Sequence, residues 1–118
     1  MKTVYLVEDE IIIAMMNRTI LQKNGFIVIG ICYSKKDLLS IFDAKPADIV
    51  FMDIALEDSS AGIDAAREIK AKHPAVKIYF VSAYPYSTYQ TQLKDLDYES
   101  YIDKLFFEKA VKHLKKGA

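Results

Sequence analysis

Hydrophobic residues along this chain fall into short unbroken runs, and between them lie stretches with apolar residues at helical spacing. Thr3-Val4-Tyr5-Leu6-Val7, Phe26 to Cys32, Ile49-Val50-Phe51-Met52-Asp53, Val76 to Ser82 and Glu99 to Asp103 are strand-length and rich in β-branched and aromatic residues. The first intervening stretch, Ile11 to Asn24, predicts an apolar helix closed by Asn24-Gly25. Ser34 caps a second helix that runs through Asp43, with Leu38, Leu39 and Phe42 on one face. Gly62 is expected to supply an unusual backbone angle before a third helix, whose buried face is Ile63, Ala65, Ala66 and Ile69 and which His73-Pro74 ends. After a loop at Tyr84-Pro85-Tyr86 comes a weak polar helix from Ser87 to Leu96, and a last helix from Phe106 buries Phe107, Ala110, Val111 and Leu114. Five strands alternating with five helices predict a doubly wound α/β domain of the flavodoxin-like (βα)5 kind. Its parallel sheet would run in the order 2-1-3-4-5, with helices on both faces.

The third strand ends on a carboxylate. A charge at the rim of a core is costly unless something neutralises it, and in open parallel sheets ligands bind just beyond the carboxyl ends of the strands. The residues at those ends are Glu8 and Asp9, Asp53, Ser82 and Lys104. Each has an ordinary explanation: acids cap helices, a serine opens a loop, a lysine snorkels to water. Together they place three acids, a hydroxyl and a cation on one edge. At a separation of about 4 Å and an effective dielectric near 20, each like-charge pair costs about 4 kcal/mol. Protonation of one acid, the Lys104 ammonium or a hard divalent ion relieves that repulsion; Mg²⁺ suits oxygen ligands best, with Mn²⁺ as a substitute. Such a site complements a phosphoryl group, and its carboxylate is a credible nucleophile toward phosphorus.

Composition adds limits. The 118 residues suffice for one domain spanning 1–118, with a core that needs no disulfide or structural metal. Sixteen basic residues balance sixteen acidic ones, so no whole-molecule field favours nucleic acid or a membrane surface. The single cysteine, Cys32, excludes an internal disulfide and a zinc spacing and reads as an inert buried thiol. No signal peptide or membrane-length apolar run is visible, and a cytoplasmic location is expected. Lys104, Lys109, Lys112, Lys115 and Lys116 crowd the C-terminal end, as in a solvated helix end that complements the macrodipole. Ile11, Ile12 and Ile13 cannot all face inward, which leaves apolar surface for an interface on the first helix. Tyr84, Tyr86, Tyr89, Tyr98 and Tyr101 are expected as an exposed aromatic set, either a contact face or plain rim packing.

Val7-Glu8-Asp9-Glu10, Met52-Asp53-Ile54-Ala55-Leu56 with Gly62 downstream, Val81-Ser82-Ala83 and Tyr101-Ile102-Asp103-Lys104 stand in order, each at the end of a predicted strand. Over essentially its whole length the chain resembles the receiver domain of two-component response regulators. The resemblance implies that Asp53 accepts a phosphoryl group from the phosphohistidine of a sensor histidine kinase or phosphotransfer protein. It implies that Asp9, Asp53 and the backbone carbonyl of Ala55 ligate Mg²⁺, with Glu8 acting through a bound water. Ser82 and Lys104 would each hold a phosphoryl oxygen, and Tyr101 matches the family's switch aromatic. Ala55 and Tyr84 match the variable sites flanking the attacking water, so Tyr84 would shield the acyl phosphate and slow its self-hydrolysis. Such a domain is a phosphoacceptor rather than an enzyme. Its face around the fourth helix and fifth strand would serve partners or a homodimer, with no direct nucleic-acid or membrane binding.

Leu105 stands where many receivers have a proline after a cis bond. A cis bond before a non-proline residue costs about 3–4 kcal/mol, so the Lys104–Leu105 bond is expected to be trans, in an altered loop that the long Lys104 stem compensates. In the loop after Asp53, Glu57 replaces a frequent proline, and Glu57 and Asp58 are expected as solvated acids. Three other readings compete. A degenerate receiver used only as a binding scaffold has Leu105 in its favour and five competent chemical positions against it. An aspartate-nucleophile phosphohydrolase lacks its second acid, because that position is Ala55. A flavin-binding domain would need a phosphate-cradling loop where Glu8-Asp9-Glu10 stands.

Overall fold

A computed structural model describes residues 2–57 and 60–117, with Lys116 and Gly117 in their backbone only; the expectations for Asp58 and for the Lys116 side chain lie outside the described residues. The elements in chain order are β1 (Thr3–Val7), α1 (Ile11–Lys23), β2 (Ile27–Cys32), α2 (Lys35–Phe42), β3 (Ile49–Asp53), α3 (Ala61–Lys72), β4 (Lys77–Ser82), α4 (Gln90–Leu93), β5 (Ser100–Asp103) and α5 (Phe107–Gly117). All strands pair in parallel, in the order β2-β1-β3-β4-β5.

β3 is buried at all five positions because it is the central strand and both its faces are covered. Its side chains alternate between two cores. Val50 and Met52 join Leu38 and Phe42 of α2 and Ile69 of α3, whereas Ile49 and Phe51 join Ala14 and Leu21 of α1 and Phe107 and Val111 of α5. The strand thus becomes a fixed post with Asp53 at its tip.

The helix ends follow local chemistry. Gly25 is left-handed (φ 89°), its N–H donates to the Gln22 carbonyl at 3.2 Å, and the Phe26 N–H donates to the Leu21 carbonyl at 3.1 Å. These are the two bonds of a Schellman ending, and only glycine adopts that φ without cost. Ser34 caps α2, its side chain accepting from the Asp37 N–H at 3.1 Å.

Gly62 requires a correction. It lies inside α3 with no positive φ, and its role is close approach: a Cβ there would stand 2.1 Å from the Asp53 carbonyl oxygen and 2.7 Å from the Ile54 Cα. The expected helix from Ser87 to Leu96 is also shorter than its sequence suggested. A 3₁₀ turn at Tyr86–Thr88 leads into a single turn, Gln90–Leu93, anchored by buried Tyr89 and Leu93. Arg67 of α3 donates to the Gln92 carbonyl of that turn. The tyrosine set divides: Tyr84 and Tyr86 are exposed, Tyr98 and Tyr101 are half-buried, and Tyr89 is core. Tyr89 turns inward because α4 has few other apolar residues with which to bury a face. On α1, Ile11, Ile12, Met15 and Met16 are exposed and Ile13 is half-buried. Cys32 is buried, and that burial is the main reason its thiol is pushed up to about 11. Among the described residues, no helix is long and apolar enough to cross a membrane.

Candidate functional site

The carboxyl ends of β1, β3, β4 and β5 meet on one edge of the sheet, and Glu8, Asp9, Asp53, Ser82 and Lys104 meet there with them. Asp53 is 3% exposed and Glu8 2% exposed, so both carboxyls are largely removed from water; Asp9 stays exposed at the mouth. One oxygen from each of the three acids lies within 4.8 Å of the others. Lys104 reaches into this cluster, its Nζ 3.2 Å from Asp53 Oδ2 and 3.3 Å from Glu8 Oε2.

One ammonium does not balance three acids. Glu8 is pushed up to about 7, first by burial and then by hydrogen bonding to and repulsion from Asp53, with Lys104 offsetting part of this. Asp9, though exposed, is raised as well, by partial desolvation where it borders the cluster and then by the Asp53 charge. Burial lowers Lys104, but the Asp53 and Glu8 charges outweigh it and hold the ammonium above its usual range. A half-buried set of oxygen donors carrying uncompensated negative charge is the donor chemistry that a hard divalent cation fits.

The loops are tied down by backbone bonds. The Ile54 N–H donates to the Val81 carbonyl at 3.2 Å, which extends the β3–β4 ladder past Asp53, and the Gly62 N–H returns to the Ile54 carbonyl at 2.9 Å. Ile54 and Leu56 are fully buried on either side of Ala55. Across the site, Ser82 Oγ accepts from the Tyr84 N–H at 3.0 Å and the Tyr101 hydroxyl donates to the Tyr84 carbonyl at 2.7 Å. The Tyr84 backbone is therefore held from both sides, and its ring remains exposed at the rim. Burial is the main reason the Tyr101 phenol is raised, partly offset by the nearby Ser82 hydroxyl.

Every described peptide bond is trans, including Lys104–Leu105. Residues Lys104–Phe106 form a 3₁₀ turn in which the Asp103 side chain accepts from the Leu105 N–H at 2.9 Å. Leu105 projects into solvent, 87% exposed, and the lysine before it still spans the distance to Asp53. Lys104 therefore stands apart from the lysines of α5, whose side chains at Lys109, Lys112 and Lys115 are exposed. Glu57 is exposed, as expected of a solvated loop acid, and its Oε1 in addition accepts from the Lys35 N–H at 2.5 Å. Nothing in the local sequence signals this bond, which joins positions 22 residues apart.

The chain belongs to the response regulator receiver domain family, whose model matches residues 4–115. It is 31% identical over 83 residues to the phyllosphere-induced regulator PhyR of Methylorubrum extorquens, covering 70% of this chain and 31% of PhyR. It is 34% identical over 82 residues to the chemotaxis protein CheY of Thermotoga maritima, covering 70% of this chain and 68% of CheY. Among solved structures, PhyR from Brucella abortus superimposes with a TM-score of 0.79 at 28% identity, over 96% of this chain and 45% of that one. The chain thus spans about a third of one curated relative and about two thirds of the other. It is a receiver of two-component signalling, a family of signalling domains that typically binds Mg²⁺ and interacts with histidine kinases or phosphotransfer proteins.

Proposed function

We propose that this receiver is a phosphoacceptor, with Asp53 taking a phosphoryl group from a phosphohistidine of a sensor histidine kinase or phosphotransfer protein in a Mg²⁺-dependent cytoplasmic relay. The observation that carries this reading is the placement of the buried Asp53 carboxylate between an under-neutralised acid cluster and the Lys104 ammonium, 3.2 Å away. An Asp53 oxygen forms the new P–O bond as the P–N bond to the donor imidazole breaks. The leaving nitrogen keeps the electron pair and takes a proton from solvent. Asp9, Asp53 and the Ala55 carbonyl would hold the metal, with Glu8 acting through a water; when bound, it supplies neutralisation of the charge on the phosphoryl oxygens.

The chain's own groups do the positioning. Lys104 is already paired with Asp53 and would pair with one phosphoryl oxygen, and Ser82 would donate its hydroxyl to another. Taking up that role draws on the same hydroxyl that accepts from the Tyr84 N–H, so the loop at 83–86 and the Tyr101 ring bonded to it are coupled to the state of Asp53. Tyr84 and Ala55 flank the approach of water and set how long the acyl phosphate lasts. The surface around α4 and β5, with Tyr84 and Tyr86 exposed, carries the change to a partner or a second copy. The domain turns over only its own phosphoryl group.

The test is direct. Incubation with acetyl phosphate or phosphoramidate and Mg²⁺ should add one phosphoryl group to the intact mass, and Asp53→Asn or chelation should abolish the gain. A wild-type protein that stays unmodified would favour the scaffold reading, in which the domain acts only by binding.

A further inference from the structure

The loops that would hold the metal come from separate parts of the chain. One follows β1 and carries Glu8 and Asp9; the other follows β3 and carries Ala55. The stretch from the last residue of β2, Cys32, to the first residue of α2, Lys35, contributes no side chain to the site, yet it is bonded to both loops. At one end the Cys32 carbonyl accepts from the Glu8 N–H at 3.0 Å. At the other end the Lys35 N–H, the first of α2, donates to Glu57 Oε1 at 2.5 Å.

That donor belongs to the set a helix leaves without an intrahelical partner, and a carboxylate there also meets the positive end of the helix. The remaining capping contacts at this terminus are made elsewhere, with Ser34 Oγ accepting from the Asp37 N–H at 3.1 Å and Asp37 Oδ2 from the Tyr33 N–H at 3.4 Å. The Lys35 side chain is fixed as well, its Nζ 2.7 Å from Glu68 Oε2 on α3. Glu57 is thus fastened to a residue that is itself held at backbone and side chain. Ala55 sits between this anchor and the Ile54 bonds to Val81 and Gly62.

We infer that Glu57 is a positioning residue for metal binding: its carboxylate fastens the loop after Asp53 to the first turn of α2, and this sets the position of the Ala55 carbonyl. The inference rests on the Mg²⁺ reading above. A carbonyl ligand brings no net charge, so its value depends on being in place, and Mg²⁺ tolerates little departure from octahedral geometry. Partners hydrogen-bonded directly to a ligand are commonly worth about tenfold or more in metal affinity, and Glu57 acts one step further out, so about tenfold is the upper bound of its effect.

Calorimetric titration of metal-free protein with Mg²⁺ tests this in wild type, Asp53→Asn, four further single variants and the double variant Glu57→Ala/Lys35→Pro. Glu57→Ala should bind Mg²⁺ more weakly, by up to about tenfold, with its Tm little changed, because Glu57 is exposed. Glu57→Gln should stay close to wild type, since its amide oxygen still accepts the bond. Lys35→Ala keeps the backbone N–H and should also stay close. Lys35→Pro removes only the donor beyond what Lys35→Ala removes; proline suits the first helical position, and Ser34 before it is already extended (φ −152°, ψ 163°). It should fall with Glu57→Ala, and the double variant should be no weaker than either alone. Glu57→Gln as weak as Glu57→Ala would mean that charge alone is at work, and unchanged affinity in Glu57→Ala would mean that the anchor is idle; either overturns the inference. If wild type itself binds no Mg²⁺, the metal reading and this inference fall together. If Mg²⁺ binds and depends on Asp53 but not on Glu57, only the inference falls.

Discussion

Glu8→Gln isolates the electrostatic cost built into the site. In the metal-free protein the Glu8 carboxyl is buried beside Asp53, which raises it from 4.5 to about 7. The folded state therefore holds this proton more tightly than the unfolded chain. Folding is unaffected by the group below about pH 4.5, loses stability as pH rises through the interval, and carries the full penalty above about 7. The difference corresponds to about 3 kcal/mol. With an unfolding entropy of roughly 2.1 cal/mol/K per residue, a domain of this size shifts in Tm by about 4 °C per kcal/mol. Glutamine keeps the shape, can donate to Asp53 and does not ionise, but it gives up the charge that faces Lys104 at 3.3 Å. Thermal unfolding in EDTA followed by circular dichroism should place Glu8→Gln above wild type by about 5–12 °C at pH 8, with the gap closing near pH 5. Saturating Mg²⁺ should narrow or reverse the order at pH 8, because the cation favours the ionised acid. A gap that stays constant with pH, or that opens toward acid, would refute the assignment of the penalty to Glu8.

Three further outcomes follow from the geometry. Gly62→Ala drives a methyl group into the Asp53 and Ile54 backbone, where it would stand 2.1 Å from a carbonyl oxygen, and should cost about 2–4 kcal/mol in urea unfolding; a loss below about 0.5 kcal/mol would mean that α3 can shift freely. Tyr101→Phe removes the 2.7 Å bond to the Tyr84 carbonyl and should cost about 1 kcal/mol, with faster amide exchange confined to residues 83–86; unaltered exchange there would disconnect Tyr101 from the loop. Tyr84→Ala opens one side of the approach to Asp53 and should speed decay of the acyl phosphate, followed by intact mass after donor removal, and an unchanged decay would count against shielding.

How far the strands and the site could be read along the chain depends on the range of the interactions involved. The apolar run from Ile49 to Met52 marks β3 because a central strand must be apolar on both faces, and its end places Asp53 without further information. Asn24-Gly25 marks the end of α1 because only glycine suits the left-handed position that the ending needs. Glu8, Asp9, Ser82 and Lys104 were legible in the same way, as residues at strand ends, once the alternation implied one sheet edge. The trans Lys104–Leu105 bond followed from the cost of a cis amide without proline.

Other features were invisible because they depend on separations between segments distant in the chain. That Lys104 lies within 3.3 Å of both Glu8 and Asp53 is a matter of how β5 and its turn stand against β1 and β3. Gly62 reads in sequence as a conformational glycine, whereas it is there because α3 presses on the Asp53 backbone. Tyr89 reads as one of a surface set until the packing of the short α4 turns it into the core. Glu57 reads as a solvated loop acid and is one, but its bond to the first N–H of α2 depends on where that helix stands. Residue type and local spacing thus determined which groups reach the sheet edge. Only the tertiary structure decided which charges are buried together and which backbone groups hold the loops, because both follow from the distances between elements that folding sets.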